Sequence, residues 1–351
     1  MSATMSVKKS WEKGNAMRLR RYEGNPVVTA GTHDWRRVTT FNPAVIVDDD
    51  GIFYMWERAC ESLAPLICHV GLLRSEDGRH FELMSDEPVL SPHDFGTPKG
   101  TVEDPRVVKI DGRYYMTFVQ RDFAAICRPD GVGIPDYCEA PDVPEGKLNN
   151  YRSGIAVSDD LKTWEVLGLI TPPEMHDRDC VMFPEKVNGR YAMLRRPEGY
   201  IGADYGCERP SVWLTYSDDL LTWDEPVLVA QPEQPWEACK IGSGPPPVPT
   251  DDGWLVVYHG VAGVKRRVTY RVGAMLLDRD DPSKVIGRAT DFFMEPELYY
   301  ERFGLITPNV VFPTATPVKD GEVYIYYGCS DTCISLATAP LSDMIAYASG
   351  K

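Results

Sequence analysis

One pattern of apolar and polar positions recurs five times along the chain. A short apolar stretch, usually with a proline, leads into an acidic or Asn-Gly turn and then into an aromatic strand. It reads FNPAVIVDDDGIFYMWERA over 41–59, VEDPRVVKIDGRYYMTFV over 102–119 and VMFPEKVNGRYAMLRRP over 181–197. It returns as GPPPVPTDDGWLVVYHGV over 244–261 and VVFPTATPVKDGEVYIYYG over 310–328. The Asp-Gly and Asn-Gly pairs ending at Gly51, Gly112, Gly189, Gly253 and Gly321 suit tight hairpins, because glycine tolerates a positive φ. Each copy is followed by a second hairpin signal, as in VGLLRSEDGRHFE (70–82), SGIAVSDDLKTWEVLG (153–168) and VWLTYSDDLLTWDEP (212–226). There Ser and Asp side chains are expected to bond to their own backbone, and Trp164 and Trp223 open the next strand as structural residues. VGAMLLDRDDPSKVIG (272–287) and ISLATAPLSDMI (334–345) read as degenerate copies of this second hairpin. Two hairpins make four strands, the content of one propeller blade. The repeats therefore predict an all-β chain, a five-bladed β-propeller. Residues 1–20 read as an N-terminal arm, and 21–351 as a single catalytic domain. A β-sandwich with similar turns is the weaker alternative, since the repeat has both a period and an internal order.

A propeller directs the search for chemistry to its central channel, where the first strand of every blade converges. The segments ahead of the turns are FNPA, EDPR, FPEK, GPPP and FPTA. The polar members of this ring include Asn42, Glu103, Asp104, Arg106, Lys186 and Lys240. Strand ends and adjoining loops add Arg58, Arg178, Asp179, Arg195, Arg196, His259, Tyr270 and Asp331. Carboxylates and an amide suit sugar hydroxyls and acid catalysis, whereas Arg, Lys, His and Tyr suit an anion. A glycosidase needs two carboxylates. A phosphorolytic enzyme needs one acid and a cationic cradle, because phosphate is itself the nucleophile. One obvious acid, Asp104, beside a surplus of cations leans towards phosphorolysis.

Composition narrows the class further. A net charge of −15 disfavours nucleic-acid and anionic-membrane partners. No run of about 18 apolar residues and no apolar leader core is visible, which predicts a soluble, cytoplasmic protein. The nine cysteines are an odd number without a CxxC pair, which reads as free structural thiols in a reducing compartment. The histidines show no metal-ligand spacing, and no nucleotide-binding glycine motif is present. No metal or cofactor is expected.

Several of these segments together resemble glycoside hydrolase family 130: VEDPRVVKIDGRYYMTF, FPEKVNGRYAMLRRP, GSGPPPVPTDDGWLVVYHGV, DDPSKVIGR, PNVVFPTATPVKDGEVYIYYGCSD and SLATA. The similarity runs in order over about residues 22–345. It implies a five-bladed propeller and, for most members, inverting phosphorolysis of a β-mannoside to α-mannose 1-phosphate and a shortened acceptor. A minority of members are β-mannosidases. The resemblance assigns Asp104 as the single catalytic acid, passing its proton through a sugar hydroxyl. It assigns Arg178, Arg196, His259 and Tyr270 to phosphate, and Asn42, Arg58, Lys186 and Asp331 to sugar contact or site lining. It implies a small carbohydrate and inorganic phosphate as co-substrates, and suggests self-association. Arg195 stands where many members have His. The stretch 128–150 reads as an inserted loop at the funnel mouth, able to reshape the acceptor subsite. Two other functions stay open at this point: an inverting β-mannosidase using Asp179 as base, and a sugar-binding propeller without turnover. The linkage, β-1,4 or β-1,2, and the acceptor sugar are also open.

Overall fold

The computed structural model describes residues 17–129, 135–138, 143–264 and 267–350, and in it each repeat forms one antiparallel sheet. Blade 1 comprises Thr39–Val47, Phe53–Cys60, Cys68–Ser75 and Glu82–Leu83. Blade 2 comprises Thr101–Ile110, Arg113–Arg121, Arg152–Ser158 and Glu165–Leu169. Blade 3 is built from Asp177–Met182, Tyr191–Pro197, Val212–Ser217 and Val227–Ala230. In blade 4 the inner strand is split into Lys240–Ser243 and Val248–Thr250, followed by Gly253–Val264, Arg267–Leu277 and Val285–Arg288. Blade 5 starts with Val311–Ala315 and Val318–Lys319, then Glu322–Cys329 and Cys333–Pro340.

The fourth strand of blade 5 differs from the expectation. After Pro340 the chain turns into a helix, Leu341–Ala348, rather than a degenerate hairpin. The outer position is filled from the other end of the chain: Arg20 and Arg21 pair with Thr338 and Ala337. Asn25 reinforces the closure, its side chain donating to Leu336 O and accepting from Leu336 N. Arg21 ties it to Glu301 and Glu297, and Arg18 pairs with Asp343. Met17 and Leu19 rest on the apolar cluster between blades 4 and 5. Residues 17–20 therefore belong to the propeller, and the rest of the expected arm, 1–16, lies outside the described residues. First and last segments bonded in one sheet close the ring, and the outer edge of blade 5 is only the two-residue strand Arg20–Arg21.

The core is divided among the seams between blades. Trp56, Val70 and Val107 fill the seam of blades 1 and 2, Met182, Ile155 and Tyr115 that of 2 and 3, and Phe183, Trp254 and Leu194 that of 3 and 4. Full burial of each such side chain contributes about 1.5–3 kcal/mol. The Ser-x-Asp turns behave as their sequence predicts. Asp160 accepts from the N–H groups of Lys162 and Thr163, and Asp219 from those of Leu221 and Thr222. Trp164 and Trp223 donate to Leu161 O and Leu220 O, each at 2.9 Å, so both are structural. No helix among the described residues is long and apolar enough to cross a membrane.

Two further expectations need correction. Cys60 and Cys68 are disulfide-bonded rather than free. They lie directly opposite each other in adjacent strands of blade 1, with Cα atoms 4.1 Å apart. Cys180, Cys207, Cys239, Cys329 and Cys333 are free. The inserted segment of blade 2 is not all loop: Ile126–Pro129 and Pro135–Cys138 form an antiparallel hairpin. Its far end, Val143 to Asn150, does reach the mouth of the channel.

One irregularity positions the chemistry. The inner strands of blades 1, 2, 3 and 5 each lose register at the same level: between Phe41 and Ala44, Glu103 and Arg106, Arg178 and Val181, and Pro313 and Ala315. Blade 4 breaks its inner strand there, across Gly244 to Pro247. Prolines suit such points because they have no N–H to give the ladder. Asn42, Asp104 and Asp179 sit in three of the bulges with φ of 47°, 52° and 55°. Asn and Asp tolerate that left-handed backbone better than other side-chain-bearing residues, and a bulge re-aims the side chain it carries.

Candidate active site

The bulges open into a cavity of about 760 Å³ at one end of the channel. Its wall has two poles. The first is built by blades 1, 2 and 5. Asp104 Oδ1 accepts from Asn42 Nδ2 at 2.8 Å and from an Arg58 guanidinium nitrogen at 2.9 Å. The other terminal nitrogen of Arg58 reaches Glu103 at 3.1 Å, its Nε donates to Cys68 Sγ at 3.4 Å, and the guanidinium lies over Phe41. Asp331 joins them from the hairpin turn of blade 5, where Ser330 and Asp331 have φ of 44° and 52°. Two successive positive φ values are what such a tight turn demands.

Electrostatics separates the two aspartates of this pole. Burial raises the proton affinity of Asp104, but Arg58, Arg106 and the Asn42 hydrogen bond outweigh it, leaving the carboxyl below its ordinary range. Burial pushes Asp331 up to about 6. Arg58 opposes that rise, while Asp104 and Glu103 add to it. Arg106 is the strut beneath the site. Its Nε donates to Gly244 O in blade 4 at 2.6 Å and a terminal nitrogen donates to Asp104 O at 3.0 Å. It joins two blades, consistent with leaving it out of the anion cradle.

The second pole is cationic and comes from blades 3 and 4. Arg178, Arg196, Lys240, His259 and Tyr270 all face the cavity. Arg196 is oriented by two carboxylates: Nε donates to Asp179 Oδ2 at 2.6 Å, and a terminal nitrogen to Glu198 Oε1 at 3.1 Å. Arg196 holds Asp179 below the ordinary carboxylate range against the effect of burial. Burial drives His259 down to about 3, so it is the neutral imidazole; it stacks on Tyr270 with ring centroids 5.7 Å apart. Burial pushes the Tyr270 hydroxyl up to about 12, which keeps it a donor at neutral pH. Lys240 falls to about 7 through burial, reinforced by Arg196 and Arg178 and opposed by Glu198. Gly242 lies at the back of this pole. An added Cβ there would overlap Asp179 Oδ2 and stand 2.6 Å from His259 Cε1 and 2.8 Å from Arg196 Nε.

The structure therefore brings Asn42, Arg58, Asp104, Asp331, Arg178, Arg196, His259 and Tyr270 into one cavity, as expected from the sequence. Lys186 is the exception. It lies past the end of its strand, 35% exposed, bonded to Asp111 at 2.9 Å. Anchoring the pattern on the Gly189 turn placed FPEK level with FNPA and EDPR, whereas the register shift places Asp179 there. Lys186 therefore does not line the cavity as expected for a sugar contact, and the lysine that does line the cationic pole is Lys240. Lys240 stands at the start of the fourth inner strand, a position the pattern marked without giving it a role. Arg195 is not in the cavity; alternation along its strand turns it away, onto Asp177.

Comparison with known proteins identifies the family. The family model described as beta-1,4-mannooligosaccharide phosphorylase matches residues 6–128 and 146–349. The chain belongs to glycoside hydrolase family 130. The break in the match falls on the inserted segment of blade 2. A 1,2-beta-oligomannan phosphorylase of Thermoanaerobacter sp. (strain X514) is 35% identical, across 93% of this chain and 99% of that protein. A beta-1,4-mannooligosaccharide phosphorylase of Ruminococcus albus is 31% identical, across 93% and 90%. The solved beta-1,2-mannobiose phosphorylase of Listeria innocua superposes with a TM-score of 0.74, covering 95% of this chain and 100% of that one at 22% identity. At that identity the superposition speaks for the fold.

Proposed function

We propose that this family 130 enzyme carries out inverting phosphorolysis of a β-mannoside, giving α-mannose 1-phosphate and a shortened acceptor. The observation that carries the reading is the facing of two poles across one cavity: an acid at Asp104, held by Asn42 and Arg58 beside Asp331, and a cluster of Arg178, Arg196, Lys240, His259 and Tyr270. The cluster holds hydrogenphosphate and screens its approach to the anomeric carbon. A phosphate oxygen forms its bond to that carbon from the face opposite the leaving group, as the glycosidic C–O bond breaks. Asp104 supplies the proton taken by the departing oxygen, directly or through a sugar hydroxyl. Asp104 takes that proton up from solvent as phosphate binds and ends the cycle ionised, as it began; the product keeps the proton that hydrogenphosphate brought in and releases it on leaving, so no net proton is consumed. Asp104 is ionised in the free site, and the arriving dianion raises its proton affinity at the moment a proton is needed.

Water is a poorer nucleophile here. Asp179, the base a hydrolase would use, is already committed to Arg196 and held as a weakly basic anion. For linkage we take a β-1,2-oligomannoside, supported by relatives of 35% and 33% identity named for β-1,2 substrates and matched nearly end to end. A cytoplasmic setting, which supplies inorganic phosphate, suits the reaction.

The test is turnover of β-1,2- and β-1,4-mannobiose, longer mannosides and mannosyl-glucose, each with and without phosphate. Phosphate-dependent mannose 1-phosphate is expected, with β-1,2 substrates favoured. Free mannose at equal rates in both conditions refutes the reading in favour of a hydrolase. Sugar binding without turnover marks a binding propeller. Asp104→Asn is expected to lower kcat by about 10²–10⁴-fold while sugar binding persists.

A further inference from the structure

We propose that Tyr151 is a positioning residue for phosphate, holding the Arg178 guanidinium against the cavity wall through its ring. This rests on the phosphorylase reading for its ligand. Tyr151 comes from blade 2, directly before the strand Arg152–Ser158, and closes the inserted segment. Arg178 comes from blade 3. The guanidinium carbon of Arg178 lies 3.5 Å from the centre of the Tyr151 ring, and that of Arg121 lies 4.7 Å from it. The phenol oxygen accepts from Arg121 at 3.1 Å. The ring is 6% exposed, and its backbone is pinned on both sides: Tyr151 N donates to His176 Nδ1 at 3.2 Å, and Tyr151 O accepts from Asp177 N.

Arg121, Tyr151 and Arg178 all line the cavity. Two guanidinium groups sharing one small region repel each other. The negative face of an aromatic ring offsets part of that repulsion and fixes the plane of the guanidinium resting on it. A flat, pre-oriented fork presents two donors to a phosphate without the loss of freedom that a loose arginine incurs on binding. Arg196 is oriented by carboxylates, which partly neutralise it. The Tyr151 ring adds to this pole an orienting contact that brings no negative charge of its own.

Tyr151→Leu removes the ring, and Tyr151→Phe keeps it while removing the bond from Arg121. Steady-state phosphorolysis and calorimetric titration with inorganic phosphate alone are to be measured for both. Tyr151→Leu is expected to raise KM and Kd for phosphate about 10-fold, with KM for the mannoside unchanged. Tyr151→Phe is expected to stay within about twofold of the parent. Tyr151→Met replaces the leucine variant if the latter fails to fold. Unchanged phosphate affinity in Tyr151→Leu overturns the proposal. So does equal loss for both substrates, or a phenylalanine variant as impaired as the leucine one. A parent protein that binds phosphate but does not turn over refutes the phosphorylase reading alone, and the titration still tests Tyr151. A parent that binds no phosphate overturns both.

Discussion

Gly242→Ala tests the anion pole without removing any charged group. The backbone of Gly242 forms the rear wall of the pole, and one added methyl overlaps Asp179 Oδ2 while standing under 3 Å from His259 Cε1 and Arg196 Nε. None of the three neighbours can swing into solvent: the side chains of Asp179, His259 and Arg196 are 5%, 1% and 3% exposed. The strain therefore passes to the Asp179–Arg196 pair, which must shift by about 1 Å to regain ordinary contact, a displacement that can cost about 10²-fold in rate. Because blades 1, 2 and 5 supply Asn42, Arg58, Asp104 and Asp331, the sugar pole is left in place. The expected outcome is kcat/KM for phosphate lowered about 10²-fold, with mannoside affinity retained. Circular dichroism and thermal unfolding establish that the variant is folded. A folded Gly242→Ala with unaltered phosphate kinetics would refute the placement of phosphate against Arg196 and His259.

Three other outcomes follow from the same geometry. Lys240 at about 7 must be protonated to meet phosphate, so binding takes up a proton above that pH. Phosphate KM should rise with pH by up to about tenfold per unit above roughly 7, and Lys240→Met should flatten that rise in a pH series of KM. Asp331 has its folded-state value raised to about 6 against an ordinary carboxylate, so its ionisation opposes folding above that pH. The neutral Asp331→Asn is therefore expected to unfold at higher temperature near pH 8, by at most about 3 kcal/mol, less for solvent screening. That gain should fade as the pH falls through 6 towards 4, while turnover drops at every pH. Lys186→Ala, which loses an exposed contact with Asp111 and one with the face of Tyr191, both away from the cavity, should leave kcat and both KM values within about twofold.

How much was legible depended on whether a feature was local. Hairpin turns are local, and five of them at Gly51, Gly112, Gly189, Gly253 and Gly321 announced the blades. Ring closure is not local: the pair Arg20–Arg21 carries no periodicity, and only its bonding to Thr338 and Ala337 reveals it as a strand. The Cys60–Cys68 bond likewise depends on strand register, which an odd cysteine count cannot express. Lys186 was misplaced for a related reason. The distance from bulge to turn glycine varies between blades, and Asp179 lacks the following proline that marks Asn42 and Asp104. Lys240 was visible as a residue, but its depressed proton affinity comes from burial beside Arg196 and Arg178, a property of three dimensions.

The bulges explain why one repeated strand yields an asymmetric site. Asn42, Asp104 and Asp179 occupy the same level of successive blades with nearly the same φ, so the backbone gives all three side chains the same aim. Chemistry then depends on which side chain stands where and on its partner. At blade 1 an amide donates to the acid and carries no charge of its own; a carboxylate 2.8 Å from Asp104 would force the pair to share a proton. Blade 2 carries the acid itself, braced by Arg58. In blade 3 the carboxylate faces Arg196 instead, which turns it from a proton carrier into an orienting anion for the cradle. Gly328 and Gly242 leave the room these side chains need, since a Cβ at either would collide with Asn42 Oδ1 or Asp179 Oδ2. On the proposed reading, a fivefold scaffold thus sets a proton donor opposite an anion site, because substitutions at one repeated bulge, and small residues behind it, break the symmetry where the reaction requires it.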